Sequence, residues 1–352
     1  MNTTPSTPSL GFGIVGLGMI ADFHARAIAE TRGGHLVGVV GRSAEKAREF
    51  AERHGAPFWT TELSELLARP DLQVVCVTTP NGAHLGPAIA AARAGKHLVV
   101  EKPIEITLDR LDEVLRVVRE TGVTLAPIFQ GRFGEGARTV KAAVEAGRFG
   151  RLSLCSAYVK WLRTPDYYRN SWHGKYALDG GGVYMNQAIH GIDLLQWLAG
   201  MPTEVFAYAT RCVHQDIEGE DTAAATLRFA NGALGVIEAS TACHPGWSRC
   251  IELCGENGSV RLEDDRITRW DFRERLPGDE VVVAAGATDA LGSGAAAPNA
   301  ISHDGHRRQI QDLIDALREK RPLAIDGPEA RKAVALICAL YDSAQRNAPV
   351  RV

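Results

Sequence analysis

The 352-residue chain has no uninterrupted apolar run of membrane-spanning length, which excludes a transmembrane helix. It has no excess of one charge. Thirty-nine Lys and Arg against 42 Asp and Glu leave a formal net charge of −3, so neither nucleic acid nor an anionic membrane is an expected partner. The polar opening MNTTPSTPS lacks the basic and apolar regions of a secretory signal; residues 1–9 read as a disordered lead-in, and the expected compartment is the cytoplasm. Seven cysteines, an odd number, are scattered without disulfide or metal-ligand spacing, as in a reducing setting, and no metal site is expected. There is no internal repeat, and the one biased tract is a Gly/Ala-rich loop at 285–300. Glu218, Glu220 and Asp221 have no supporting histidine and read as a solvated turn. With 45% apolar and 23% charged residues, the chain is a globular protein long enough for two domains.

What is present first is an α/β alternation. Phe12–Val15 reads as a strand, and GLGMIA follows it at once and opens a helix. Gly16, Gly18 and Ala21 fit the G-x-G-x-x-G/A fingerprint. The first glycine permits the tight turn, and the second admits a pyrophosphate to the backbone. The free N–H groups of the helix start, around Met19 and Ile20, attract its charge. Dinucleotide binding follows, with NAD(P) as cofactor.

The second strand ends in Gly41, Arg42 and Ser43, with no acidic side chain for the ribose hydroxyls. Arg42 and Ser43 suit a 2′-phosphate, which favours NADP. Ser43 equally suits a helix N-cap with NAD bound unclamped, and both readings stay open. Two later strands end in polar motifs, Thr79-Pro80-Asn81 with His84, and Glu101-Lys102. In an open parallel sheet such ends face the ligand, so all these residues are candidate cofactor contacts. Lys102 can polarise a hydroxyl or carbonyl there. Residues 10–127 are thus read as a Rossmann domain and 128–352 as a second, α+β domain.

In the second domain, strands read at 151–161, 205–213, 222–229, 234–241, 250–254 and 259–262. Asn231-Gly232 and Asn257-Gly258 mark hairpins. About six strands should form an open, mainly antiparallel sheet. Gln130, Arg132 and Lys160 are candidate substrate contacts. So are Arg163, Tyr168 and Trp172 in the long aromatic and basic stretch 162–178, where rings stack on sugars and arginine pairs with carboxylate or diphosphate. The stretch DGGGVYMNQAIHGIDLLQW predicts a tight turn that approaches a ligand and then an amphipathic helix. On it Asn186, His190 and Asp193 share one face, and Gln187 lies beside them. Helices close the chain at about 303–320 and 328–344, and His306 reads as a surface histidine.

Fingerprint, TTPN-x-x-H, EKP and GGG…H-x-x-D, in that order, resemble the glucose–fructose oxidoreductase/inositol dehydrogenase/rhizopine-catabolism (Gfo/Idh/MocA) family over nearly the whole chain. The resemblance implies a sugar substrate lying between nicotinamide and the second-domain sheet. It implies Lys102 and His190 as the catalytic pair, and a homo-oligomer, dimer or tetramer, formed through the sheet's open face. The text from Trp161 to His190 is similar to the branch that oxidises C3 of UDP-N-acetylglucosaminuronate and to related pyranoside 3-dehydrogenases. Asn186 departs from the pattern, since much of the family has aspartate four residues before the histidine. An amide orients a ring but relays no proton. The expected activity is hydride transfer between NAD(P) and a secondary alcohol of a pyranose-type sugar. Its alternatives are a redox-neutral NAD-dependent glycosidase on the same fold and a non-enzymatic dinucleotide sensor.

Overall fold

The computed structural model describes residues 9–285, 294–296 and 302–352. The lead-in 1–8 and most of the Gly/Ala-rich tract lie outside the described residues; Ala285 itself ends the helix Asp279–Ala285. The chain forms two compact units. The first comprises the chain up to Glu105, Asp109–Ile128 and His303–Glu329; the second comprises Ile106–Leu108, Phe129–Ser302 and Ala330–Val352. The expected second domain, 128–352, therefore needs a correction. Its helix Asp304–Glu319 packs with the first unit, because Ile310, Leu313 and Ile314 complete that unit's apolar core.

The first unit is the expected parallel sheet. Its strands are β1 (Leu10–Val15), β2 (Gly34–Val40), β3 (Trp59–Thr60), β4 (Val74–Val77), β5 (His97–Val100) and β6 (Leu125–Pro127), in the order β3-β2-β1-β4-β5-β6. Phe12, Ile14, Val39, Val74, Cys76 and Val99 from these strands meet Ala21, Ala25 and Ile28 of the helix Met19–Glu30. Strands covered on both faces need such continuous apolar runs.

The sheet of the second unit has eight strands rather than about six. They are β7 (Leu152–Lys160), β8 (Glu204–Thr210), β9 (Thr222–Arg228), β10 (Leu234–Ser240), β11 (Cys250–Gly255), β12 (Gly258–Glu263), β13 (Arg266–Phe272) and β14 (Val350–Arg351). The order is β13-β12-β11-β7-β10-β9-β8-β14, antiparallel throughout except where β10 runs parallel to β7. The two extra strands are both at the edges. The polar RITRWDF of β13 is half-exposed, and the two-residue β14 pairs only with β8.

Alternation gives this sheet two different faces. Cys155, Ala157 and Val159 of β7 point inward, under the helix Ile189–Ala199. Leu154, Ser156, Tyr158 and Lys160 point outward. Leu154 stands opposite Leu234, and both are exposed, as is Tyr208 on β8.

Candidate functional site

In the first unit the fingerprint divides its labour. Gly16 sits at φ +94°, and a Cβ there would come within 2.8 Å of the Thr79 nitrogen, so the turn admits only glycine. Ala21 is wholly buried in the core. Gly18 has an ordinary extended φ of −87° and nothing within 4 Å of where a Cβ would stand. It also begins the helix Met19–Glu30 without any side-chain cap. Open space and uncapped N–H groups at a helix start are what a pyrophosphate needs, and the residues present fit a dinucleotide. At the end of β2, Arg42 is exposed, while Ser43 Oγ accepts the Lys46 N–H at 3.4 Å and caps the helix Ala44–His54.

The polar ends of β4 and β5 are mostly engaged with each other. Thr79 Oγ1 donates to the Ala83 carbonyl (3.0 Å), and Asn81 is buried. His84, expected to touch the cofactor, is fully buried. Its Nδ1 lies 2.8 Å from the Pro103 carbonyl and its Nε2 2.9 Å from that of Thr79, so it ties the two motifs together instead. Burial pushes its pKa down, against the pull of those carbonyls.

Glu101 is buried too. Its Oε1 accepts from Nε2 of His24 (2.9 Å) and Nε2 of His306 (3.1 Å), and its Oε2 from the Lys102 N–H (3.1 Å). His306 is thus a core residue and not a surface one. Sequence reasoning missed this bracket because its members lie 77 and 205 positions from Glu101. The three ligand atoms lie within 4.8 Å of one another, close enough for a metal ion. The outer Nδ1 of each histidine, however, is buried with no partner among the described residues. A metal-bound histidine normally donates from that position, so the cluster reads as a hydrogen-bonded clamp on the backbone that carries Lys102.

In the second unit the stretch after Asp179 behaves differently from a plain amphipathic helix. Tyr184–Ala188 is a π-helical turn that runs into the α-helix Ile189–Ala199, and residues 181–196 are buried on every side. Spacing counted at 3.6 residues per turn therefore misplaces the polar row. Asp193 turns to Arg132, whose Nε (2.8 Å) and Nη2 (2.5 Å) clasp its carboxylate in a fully buried pair. The three glycines do approach something closely, but it is protein. A Cβ on Gly182 would overlap the Glu220 carbonyl oxygen, and one on Gly181 the Tyr341 hydroxyl.

The 218–221 segment is likewise no solvated turn. Glu220 is buried and accepts from the N–H groups of Gly182 (3.0 Å) and Tyr184 (2.8 Å) and from the Tyr341 hydroxyl (2.9 Å). Asp221 is buried and accepts the N–H groups of Cys212, Val213 and His214 at 2.7–2.8 Å.

His190 is 9% exposed, and its ring lies 6.4 Å from that of Trp161. The Trp161 indole nitrogen is buried without a partner among the described residues, as is Oε1 of Gln130. Asn186 and Gln187 are buried; Gln187 Nε2 donates to Tyr167 Oη at 3.3 Å, and Asn186 Nδ2 to Asp179 Oδ2 at 3.1 Å.

Three other expected substrate contacts face elsewhere. Arg163 is buried and donates to the carbonyls of Leu162 (2.7 Å) and Gly294 (2.9 Å), and Tyr168 donates to Thr241 Oγ1 (2.9 Å). Lys160 pairs with Glu238 (2.6 Å) on the outward face of the sheet, opposite to the helix of His190. It borders a cavity of about 700 Å³ lined by Tyr158, Trp247, Cys250, Glu252 and Arg261. Trp172 stacks on His173 at 4.0 Å.

Two family models cover most of the chain. An oxidoreductase family model with an NAD-binding Rossmann fold matches residues 10–129, and a GFO/IDH/MocA C-terminal domain model matches 137–261. The chain belongs to the Gfo/Idh/MocA family. It is an NAD(P)-dependent oxidoreductase. The myo-inositol 2-dehydrogenase of Thermotoga maritima is 30% identical over 262 residues, 73% of this chain and 76% of that one. The WlbA dehydrogenase of Bordetella pertussis, solved with NADH and UDP-GlcNAcA, is 32% identical with a TM-score of 0.86, covering 98% of this chain and 99% of that one. Its Chromobacterium violaceum counterpart, also solved with NADH and UDP-GlcNAcA, is 29% identical with a TM-score of 0.88 over 99% and 97%.

The clamp on Glu101 predicts acid lability. Burial outweighs the pull of Glu101 and lowers the His24 pKa below its ordinary 6.5, so His24 is neutral in the fold and its contribution is lost as pH falls below that value. Burial raises the Glu101 carboxyl, but the histidine hydrogen bonds outweigh it and hold it well below 4.5, adding a second loss below that pH. Urea midpoints of wild type should therefore drop between pH 7 and pH 4. His24→Leu, which strips one donor from a buried carboxylate, should cost about 1.5–3 kcal/mol at pH 7. A flat wild-type profile, or a variant as stable as wild type, would show that the clamp carries no such weight.

Proposed function

We propose that this Gfo/Idh/MocA protein oxidises the C3 hydroxyl of a nucleotide-linked pyranose of the N-acetylglucosaminuronate type. The supporting observation is the end-to-end likeness to the WlbA dehydrogenases that hold NADH and UDP-GlcNAcA. A bound nicotinamide supplies the hydride acceptor; this chain's residues bind, orient and move the proton. His190, whose ordinary pKa lies near neutrality, takes the hydroxyl proton on an imidazole nitrogen. Lys102 neutralises the developing alkoxide with its ammonium group. Asn186 and Gln187 orient the ring and the sugar hydroxyls. The unpartnered Gln130 Oε1 and Trp161 indole N–H supply an acceptor and a donor of the kind sugar hydroxyls satisfy. Met19, Ile20 and Pro80 stay in the proposed cofactor set with Gly16, Gly18, Thr79 and Asn81, while Glu101, whose carboxylate is taken by His24, His306 and the Lys102 N–H, leaves it.

Both cofactors serve in this reading, with NADP favoured through the exposed Arg42 and the absence of an acidic residue after β2. A second copy of the chain covers the outward face of the eight-stranded sheet, where Leu154, Leu234 and Tyr208 stand exposed.

Lys102→Ala and His190→Ala should each lower kcat with UDP-N-acetylglucosaminuronate and NAD⁺ by orders of magnitude, roughly 10²–10⁴-fold, while NADH fluorescence titration stays near wild type. Turnover close to wild type in either variant would remove its assigned role. Glycoside consumption without net cofactor reduction would instead indicate the redox-neutral glycosidase. Arg42→Ala should cut kcat/KM for NADP⁺ about 10–100-fold, as expected for one charge-assisted contact, and leave NAD⁺ within a factor of about three. Equal losses with the two cofactors would show that Arg42 does not read the 2′-phosphate. Light scattering should give a multiple of the 37.9 kDa chain mass that falls in Leu234→Asp/Tyr208→Asp; a wild-type monomer would rule out the sheet interface.

A further inference from the structure

We propose that the buried Asp179 is a positioning residue for this site, supplying through Asn186 the negative charge that an aspartate at position 186 carries directly in much of the family. The assignment rests on the reading of His190 given above.

Asp179 ends the short helical turn Tyr176–Asp179, immediately before the three glycines, and is 1% exposed. Its Oδ2 accepts the Gly174 N–H at 2.6 Å and faces Nδ2 of Asn186 at 3.1 Å. An oxygen that already takes an N–H acts as an acceptor, so the amide must turn its NH2 group toward it. Of the two ways an asparagine can lie in its rotamer, only one survives, and the carbonyl Oδ1 is turned away from Asp179. A hydrogen bond to an anion also polarises the amide and makes that carbonyl a stronger acceptor.

Nearby, burial and the Asp179 charge together push the Tyr167 phenol well up. It therefore stays neutral and accepts from Gln187. One carboxylate thus sets the side chain of Asn186, and the neutral Tyr167 phenol near it holds Gln187. Both residues precede His190 on the same continuous helical stretch. An asparagine that replaces a family aspartate need not leave the site without its charge when the charge stands one hydrogen bond further back.

The competing view is that Asp179 merely closes its own loop through Gly174. A charge-swap cycle separates the two. Asp179→Asn should lower kcat about tenfold, worth about 1.4 kcal/mol, with KM for UDP-N-acetylglucosaminuronate within twofold and little change in Tm. Asn186→Asp places a second carboxylate where the amide stands, 3.1 Å from the first, forcing one of them to hold a proton, and kcat should fall as well. The double variant Asp179→Asn/Asn186→Asp carries the charge at position 186 instead, although the bond cannot simply reverse because the oxygen that faces Asn186 also accepts the Gly174 N–H; kcat should recover at least about threefold over Asp179→Asn while staying below wild type.

Asp179→Asn activity within twofold of wild type, or a double variant no better than Asp179→Asn, overturns the assignment. If Asp179→Asn fails to fold, a folded and active double variant still supports it; failure of both to fold assigns Asp179 to structure alone.

A second readout needs no substrate. In protein labelled with ¹⁵N at asparagine, the side-chain signals lost in Asn186→Asp identify that amide. One of its protons should exchange slowly in wild type and rapidly in Asp179→Ala, which leaves no acceptor there; equal exchange in both overturns the pairing. Wild-type inactivity on every sugar tested would overturn the dehydrogenase reading, whereas wild-type turnover with a flat cycle would overturn the Asp179 assignment alone.

Discussion

The second unit depends on one buried carboxylate. Glu220 receives two backbone N–H groups from the start of the 182–188 turn and the hydroxyl of Tyr341, and burial pushes its own pKa upward against those donors. The cost of holding a carboxyl out of water is offset only while all three donors stay in place. The arrangement therefore locks the beginning of the helical stretch that carries Asn186, Gln187 and His190. The glycines make it possible. Any side chain at Gly181 or Gly182 would occupy the space of Tyr341 or of the Glu220 backbone.

The first unit uses the same device. Glu101 is held by His24 and His306 and in turn holds the Lys102 N–H, while His84 pins the neighbouring motif through two carbonyls. In both units the residue proposed to do chemistry stands on backbone fixed by a buried acid, so little of its geometry is left to the reach of a flexible side chain. Preorganisation of that kind is what proton transfer and alkoxide stabilisation require. It also explains why so many polar residues near the motifs are spent on protein partners. Arg132 serves Asp193, Arg163 serves carbonyls, and Tyr168 serves Thr241.

The α/β alternation of the first domain, the fingerprint with its open Gly18, the hairpins at Asn231-Gly232 and Asn257-Gly258, and the family itself were legible in the sequence. Each rests on local rules: alternation of apolar runs, turn residues, and motif spacing. Strands β13 and β14 were missed for the converse reason. One is polar and half-exposed and the other two residues long, so neither carries an apolar signal.

What the sequence by itself determined is most of the apolar elements, and that Lys102 and His190 follow motifs of the Gfo/Idh/MocA family. Only the tertiary structure decided how the remaining polar residues are used. It made His306 and His24 the partners of Glu101 and made Glu220 an anchor. It sent Lys160 to the outward face and set Asp179 against Asn186. The physical reason is that a buried charge is governed by whatever donor the fold brings within hydrogen-bond reach. Such partners can be 7 or 205 residues apart, a distance that no local pattern encodes.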